Sequence, residues 1–129
     1  MVEFAIVLPL LMLIVFGCLD FARFLYLYAA LTNAAEEGAS YGSLNPPTSN
    51  GWEAGVTAAA LAEPSGLLPV LAAADVTIED TQSNDPALPG HVSVTVQSPF
   101  SLAVPGIFAS WGQPTTFMLS RTVVMPHTR

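Results

Sequence analysis

The first third of the chain contains one apolar run, from Val2 to Leu31, that is long enough to cross a lipid bilayer. A hydrocarbon layer about 30 Å thick requires about 20 apolar residues in a helix. The apolar residues here cover every side of the helix rather than one stripe. A helix that is apolar all round must be surrounded by lipid or by other protein. The run therefore predicts a membrane-spanning helix, a helix that packs into an assembly, or both.

Polar and helix-breaking residues interrupt this run at a few positions. Pro9 removes the hydrogen bond to the carbonyl of Ala5, which predicts a kink in the assembled state. Asp20 and Arg23 are three residues apart, so they lie on one helical face and can pair. They lie roughly 24–29 Å along the helix from Phe4, near the far edge of a bilayer. They are either a simple interfacial pair or part of an assembly contact. The aromatic residues at this level resemble an interfacial belt: Phe21, Phe24, Tyr26 and Tyr28.

Charge and cysteine content exclude several functions. The chain has 10 acidic and 3 basic residues, and an acidic surface repels nucleic acid phosphates. Cys18 is the only cysteine, so we expect neither an intrachain disulfide nor a Cys/His zinc cluster. The residues after Cys18 stay apolar, which argues against a lipidated N-terminus at this position. We expect Cys18 to pack as a small hydrophobic residue among apolar helix neighbours.

The helical pattern continues beyond Leu31 to about Ser40 with a newly polar side, and the Asn45-Pro46-Pro47 segment ends it. A second helix is predicted to begin after Asn50, with Glu53 completing a capping box. A short helical piece is predicted over residues 67–73. These patterns divide the chain into a transmembrane or assembly helix, residues 1–42, and a small extracytoplasmic head, residues 43–129.

The periodicity then changes to two residues, which is typical of half-buried strands. Strands are predicted around residues 76–79, 92–97 and 115–125, so the fold class is α+β with an antiparallel three-stranded sheet. A connector from Pro99 to Trp111 is too apolar for an ordinary surface loop. We expect its residues, Phe108 and Trp111 above all, to contact a neighbouring subunit; the alternative is that they cover the strands of their own head.

The sequence contains no motif for catalysis, phosphate binding or metal binding. His91 and His127 are far apart, and Ser40, Ser65 and Ser101 lack a nearby base. We therefore expect no enzymatic activity, no cofactor and no metal.

The N-terminal segment resembles the TadE-like family, pilin-like proteins of the tight-adherence (Flp-class type IV) pilus system. Three stretches carry the resemblance, each followed here by its sequence: residues 2–11, VEFAIVLPLL; the region of Gly17 and residues 20–23, DFAR; and residues 31–42, LTNAAEEGASYG. The match is specific over about 42 residues and looser afterwards. It implies a type IV pilin-like fold, a leader peptide removed by a prepilin peptidase, and retention in the inner membrane until extraction into an extracellular pilus.

The resemblance also implies that a glutamate near the mature N-terminus guides assembly. In the family this residue is usually fifth, whereas Glu3 is third and no leader is visible. Residues ahead of Met1, or a different processing site, would account for the difference. Burial of Glu3 would be energetically costly unless it is paired, and the α-ammonium of an adjacent subunit is its natural partner. The assembly residues implied by sequence and family together are Glu3, Phe4, Pro9, Asp20 and Arg23.

The sequence thus predicts a structural pilus subunit that polymerises through its helix for surface adherence. Its expected partners are copies of itself, other pilins and the pilus assembly machinery. The alternative is a membrane-anchored minor pseudopilin or binding module that does not form the filament body.

Overall fold

The computed structural model describes the chain apart from residues 1, 46, 48–50, 63–70, 82–89, 104–111, 113 and 129. At residues 2, 3, 5 and 74 it describes the backbone only. In chain order the elements are α1 (Val2–Leu44), α2 (Trp52–Leu61), a short 3₁₀ turn (Ala73–Asp75), β1 (Val76–Thr81), β2 (His91–Ser101) and β3 (Thr116–Pro126). The predicted α+β fold, with a long helix, a short helix and three antiparallel strands, is confirmed.

Helix α1 has two halves with different surroundings. Every described side chain from residue 4 to residue 19 is exposed. The second half instead buries a stripe at the three- and four-residue spacing of one helical face. This stripe consists of Leu27, Leu31, Ala34, Ala35, Gly38, Ala39, Gly42 and Ser43. The predicted change from an all-apolar to an amphipathic helix therefore occurs, and the helix ends at Leu44, close to the predicted stop.

The sheet has the order β1-β2-β3, and both pairs of strands are antiparallel. In the central strand β2, Val92, Val94 and Val96 are fully buried and belong to the same core cluster as the buried stripe of α1. The alternating residues of β2 lie on the opposite face, as the period of two predicted. The core of the head therefore lies between β2 and the second half of α1.

Strand β2 is longer than the sequence predicted. The predicted connector began at Pro99, but the strand continues through Pro99 to Ser101. Strand β1 has already ended there, because its first residue, Val76, pairs with Val96. A proline without an amide is tolerated where the sheet is only two strands wide. This extension buries Phe100 in the core of its own head, with 8% of its surface exposed.

Helix α2 packs against α1 where two glycines of α1 allow close approach. A Cβ atom at Gly38 would lie 3.1 Å from the Cβ of Ala60 and 3.2 Å from Cγ1 of Val94. Gly42 is equally confined, since a Cβ there would lie 3.1 Å from Cγ2 of Val92. The small residues of this stretch of α1 therefore let the helix fit between α2 and β2.

The N-cap of α2 differs from the prediction. The cap is Gly51, with φ 91°, and no side chain caps the helix. Glycine adopts this left-handed conformation without steric cost, so the chain turns into the helix one residue after the predicted cap. The capping box predicted for Asn50 and Glu53 is therefore wrong, and Asn50 itself lies outside the described residues.

Polar contacts join the residues after β3 to the C-terminal end of α1. The amide and hydroxyl of Thr128 both donate to the carbonyl oxygen of Ser43, at 3.0 and 2.9 Å. Nε2 of His127 lies 2.8 Å from Oδ1 of Asp80, which joins the end of β3 to β1. Nε1 of Trp52 donates to the carbonyl oxygen of Asn45 at 3.1 Å. These bonds fix the end of the head opposite to the exposed half of α1.

Candidate assembly helix and helix–head junction

The exposed half of α1 is the largest apolar surface of the described chain. Phe4 and Ile6 expose 77% and 72% of their surface, and Leu10 exposes 62%. By length and composition α1 can cross a membrane from Ile6 onward, and its most apolar window has no buried residue. A contiguous apolar surface of this size requires lipid or protein around it. The N-terminal helix therefore suggests membrane insertion, as the sequence predicted.

The structure describes the side chains of only some of the assembly residues predicted in the first turns of α1. Phe4 and Pro9 lie on the exposed helix, while the side chain of Glu3 lies outside the described part of the chain. The helix continues through Pro9, and the kink predicted for the assembled state stays a prediction. Cys18 is a free, exposed thiol. Its predicted apolar neighbours would thus have to come from lipid or from another chain.

Asp20 and Arg23 lie where the helix meets the head. Nη1 of Arg23 donates to Oδ1 of Asp20 at 3.2 Å, so the predicted pair forms. Both carboxylate oxygens of Asp20 also accept the backbone N–H of Ala103, at 2.9 and 3.0 Å. The side chain of Asp20 is only 14% exposed, while that of Arg23 is 54% exposed. Asp20 is therefore satisfied within its own chain and joins α1 to the segment that follows β2.

Arg23 completes the junction on the side of the sheet. Its Nη1 lies 3.4 Å from the carbonyl oxygen of Ser101, and its Cζ lies 5.6 Å from the ring centroid of Phe100. Phe24 meets the same ring edge-on, with the centroids 6.0 Å apart. Cation–π and edge-to-face contacts of this kind each contribute about 0.5–1.5 kcal/mol. The pair thus has a docking role within the chain that is distinct from the assembly role predicted for it.

A second arginine, on the sheet, makes a similar contact with a ring on α1, farther toward the C-terminal end of the helix. Cζ of Arg121, on β3, lies 5.2 Å from the ring centroid of Tyr28 on α1. Its Nε–H is buried and donates to no acceptor among the described atoms. Two of the three basic residues of the protein therefore hold the sheet and the helix together. The sequence did not indicate Arg121, because nothing local shows which ring it will meet.

The connector that was predicted to form head contacts is described only over its first residues, 99–103. Phe108 and Trp111 lie outside the described residues, so their predicted contact with a neighbouring subunit stays a prediction. The amide of Leu102 donates to the carbonyl oxygen of Thr115 at 3.1 Å, which joins the start of the connector to the residue before β3. Leu102 packs against the core of its own head. Among the described residues of this stretch, Phe100 and Leu102 therefore fold back onto their own chain.

The described residues offer few side chains that could bind a polar ligand or a metal ion. Its described residues contain no group of three or more His, Cys, Asp or Glu side chains that could hold a metal ion. An apolar groove of about 310 Å³ lies at the junction, lined by Asp20, Phe21, Phe24, Phe100, Leu102, Phe117 and Leu119. Asp20, the one ionisable residue of that lining, is already bonded to Arg23 and Ala103. The groove can accept apolar groups but offers no catalytic arrangement.

Comparison with known proteins supports the N-terminal assignment. The family model described as TadE-like protein matches residues 1–40. No curated protein and no solved structure matches the chain. The family match confirms the resemblance predicted from the sequence for the N-terminal helix, which is about a third of the chain. The protein is thus similar to TadE-like proteins over the exposed half of α1 and most of its buried stripe, and this similarity suggests an association with the tight-adherence pilus.

Proposed function

We propose that this protein is a structural subunit of a tight-adherence pilus that polymerises through the exposed half of α1. The observation that carries the proposal is the helix surface from residue 4 to residue 19, which is apolar all round and makes no contact that buries it in the described head. Lipid covers this surface before assembly, and the helices of neighbouring subunits cover it in the filament. At about 25 cal/mol per Å² of apolar surface, burial of this helix in the filament is strongly favourable relative to exposure to water.

The small residues of this helix suit close packing in both environments. Gly17 has no atom within 4 Å of the position of a Cβ, and Cys18 beside it is exposed. Small side chains allow helix backbones to approach closely where the hydrophobic effect does not distinguish lipid from protein. The region around Gly17 is thus suited to contact between helices of adjacent subunits.

Glu3 supplies the register in this proposal. A carboxylate inside a bundle of apolar helices is strongly unfavourable unless it is paired. The α-ammonium of a neighbouring subunit pairs with it only at one axial offset, so the pair selects that offset. The other proposed partners are further pilins, the assembly machinery and a prepilin peptidase. The role requires no catalysis and no cofactor.

The experiment replaces Glu3 in cells that carry the pilus machinery and counts fibres in the sheared surface fraction. Glu3→Ala and Glu3→Gln are both expected to lose most fibres while inserting into the membrane like the wild type, because both lack the charge. Glu37→Ala, which removes an exposed acid on the same helix, is the matched control and is expected to keep the wild-type yield. Normal fibres from Glu3→Gln would contradict the pairing argument.

The second candidate function is that of a minor pseudopilin or anchored binding module. The satisfied junction at Asp20 favours it in one respect, since the head is fixed to its own helix without help from a neighbour. A module of this kind would remain in the membrane or at one end of a fibre. Its fibres, if any, would consist mainly of another subunit.

A further inference from the structure

The apolar groove at the helix–head junction has a definite position along α1. Its helix side contains Asp20 and Phe24, and its sheet side contains Phe100 and Phe117, which pair across β2 and β3. Asp20 follows Phe4 by 16 residues, which corresponds to about 24 Å of helix. If α1 spans a hydrocarbon layer of about 30 Å from its first turns, the groove lies at the far boundary of that layer.

The side chains at this end of the head are unusual for a surface in water. Phe21 exposes 62% of its surface and Phe117 exposes 46%. They continue the exposed apolar surface of residues 4–19 without a polar break, apart from the internally bonded Asp20. Phe117 lies on a strand, so its exposure does not follow from the composition of the membrane helix. Aromatic side chains are typical of the interfacial layer of a bilayer.

The charges of the head are distributed in a way that suits contact with an anionic membrane surface. Arg23 lies beside the groove with more than half of its side chain exposed, and a lipid phosphate can accept its free N–H groups. The described acidic residues of the head lie farther from the exposed half of α1, on the second part of α1, on α2, and at or next to β1: Glu36, Glu37, Glu53, Asp75, Glu79 and Asp80. Anionic headgroups therefore meet the apolar, Arg-bearing end of the head and not its acidic side.

We propose that this end of the head is a membrane-docking surface: before assembly, the groove between α1 and the ends of β2 and β3 takes lipid acyl chains, with Phe117 in the interfacial layer and Arg23 on a phosphate. The head then sits on the bilayer in one orientation instead of moving freely above it. The arginine stem can lie along the apolar groove while its guanidinium reaches the headgroup level. This surface depends on insertion of α1 and not on polymerisation.

Depth-dependent quenching in the full-length chain tests the proposal. The background variant is Cys18→Ala, so that one introduced cysteine carries a bimane label. Phe117→Cys places the label at the groove. Val124→Cys is the matched control, because Val124 is 57% exposed on the same strand and lies toward the other end of the head. Leu102→Cys is a second groove position. The chain is reconstituted in vesicles of phosphatidylcholine and phosphatidylglycerol that contain a lipid with a nitroxide near its carboxyl end.

The labels at positions 117 and 102 are expected to be quenched several-fold more strongly than the label at position 124. Adding Arg23→Gln is expected to reduce the quenching at position 117. The reduction should be smaller in vesicles without phosphatidylglycerol, because the choline group of phosphatidylcholine offsets the charge of its phosphate. Equal quenching at positions 117 and 124 would overturn the proposal. Absence of quenching at both groove positions would also overturn it, and would indicate that protein, such as a second copy, fills the groove.

Discussion

Both carboxylate oxygens of Asp20 accept the backbone N–H of Ala103, although 83 residues separate the two positions in the chain. The contact joins the helix turn that follows the fully exposed residues 4–19 to the segment that leaves β2. Arg23 neutralises the same carboxylate and covers the ring of Phe100. The orientation of the head on its helix is therefore set by a small polar and aromatic junction at the level where α1 begins to bury one face.

Removal of this carboxylate is expected to loosen the junction. Asp20→Ala should lower the free energy of unfolding of the head by about 1.5–3 kcal/mol, because hydrogen bonds to a charged, largely buried group are lost. Asp20→Asn keeps one acceptor for Ala103 and should lose less. Thermal unfolding in detergent measures the difference, and hydrogen exchange at the amide of Ala103 should accelerate in the same order. Equal stability of Asp20→Ala and wild type would contradict a structural role for the junction.

The two halves of α1 should differ in their response to replacement of a glycine by leucine. Gly38→Leu is expected to destabilise the head by about 3 kcal/mol, because its side chain would overlap Ala60 and Val94. Gly17→Leu is the matched control and should leave the unfolding of the head unchanged, since no atom lies within 4 Å of its Cβ position. Chemical unfolding in detergent, followed by the fluorescence of buried Trp52, measures both. A loss at Gly17 equal to that at Gly38 would show that α1 does not divide into two halves in this way.

The sequence predicted the elements of the fold well because each has a strong local signal. The apolar run, the alternating valines of β2 and the change of period after residue 75 are all visible within a few residues. Local patterns also placed Asp20 and Arg23 on one face. They could not show that Ala103 and Ser101 would meet this pair, because those contacts are made by backbone atoms that every residue carries.

Two local predictions failed for identifiable physical reasons. Asn50 and Glu53 match a capping box, but the flexibility of Gly51 moved the start of α2 by one residue. Pro99 looked like the end of a strand, yet β2 continues because the neighbouring strand has already ended there. Arg121 and His127 were not indicated as structural residues, since Tyr28 and Asp80 are distant in the sequence.

The contact between His127 and Asp80 should contribute to the stability of the opposite end of the head. His127→Ala is expected to lower the free energy of unfolding by about 1 kcal/mol, because the pair is mostly shielded from solvent and the imidazole also lies against Trp52. His91→Ala, at an exposed position at the start of β2, is the control and should have no measurable effect. If the two variants unfold alike, the contact with Asp80 contributes nothing measurable.

The central claim is that copies of this chain form the body of a filament. Gold-labelled antibodies against the head, applied to sheared surface fibres and viewed by negative-stain electron microscopy, test it most directly. We expect gold along the whole length of each fibre, and no labelled fibres from cells that lack the chain. Gold confined to one end of the fibres, or found only on the cell envelope, would contradict the claim and would assign the chain to the minor or membrane-anchored class.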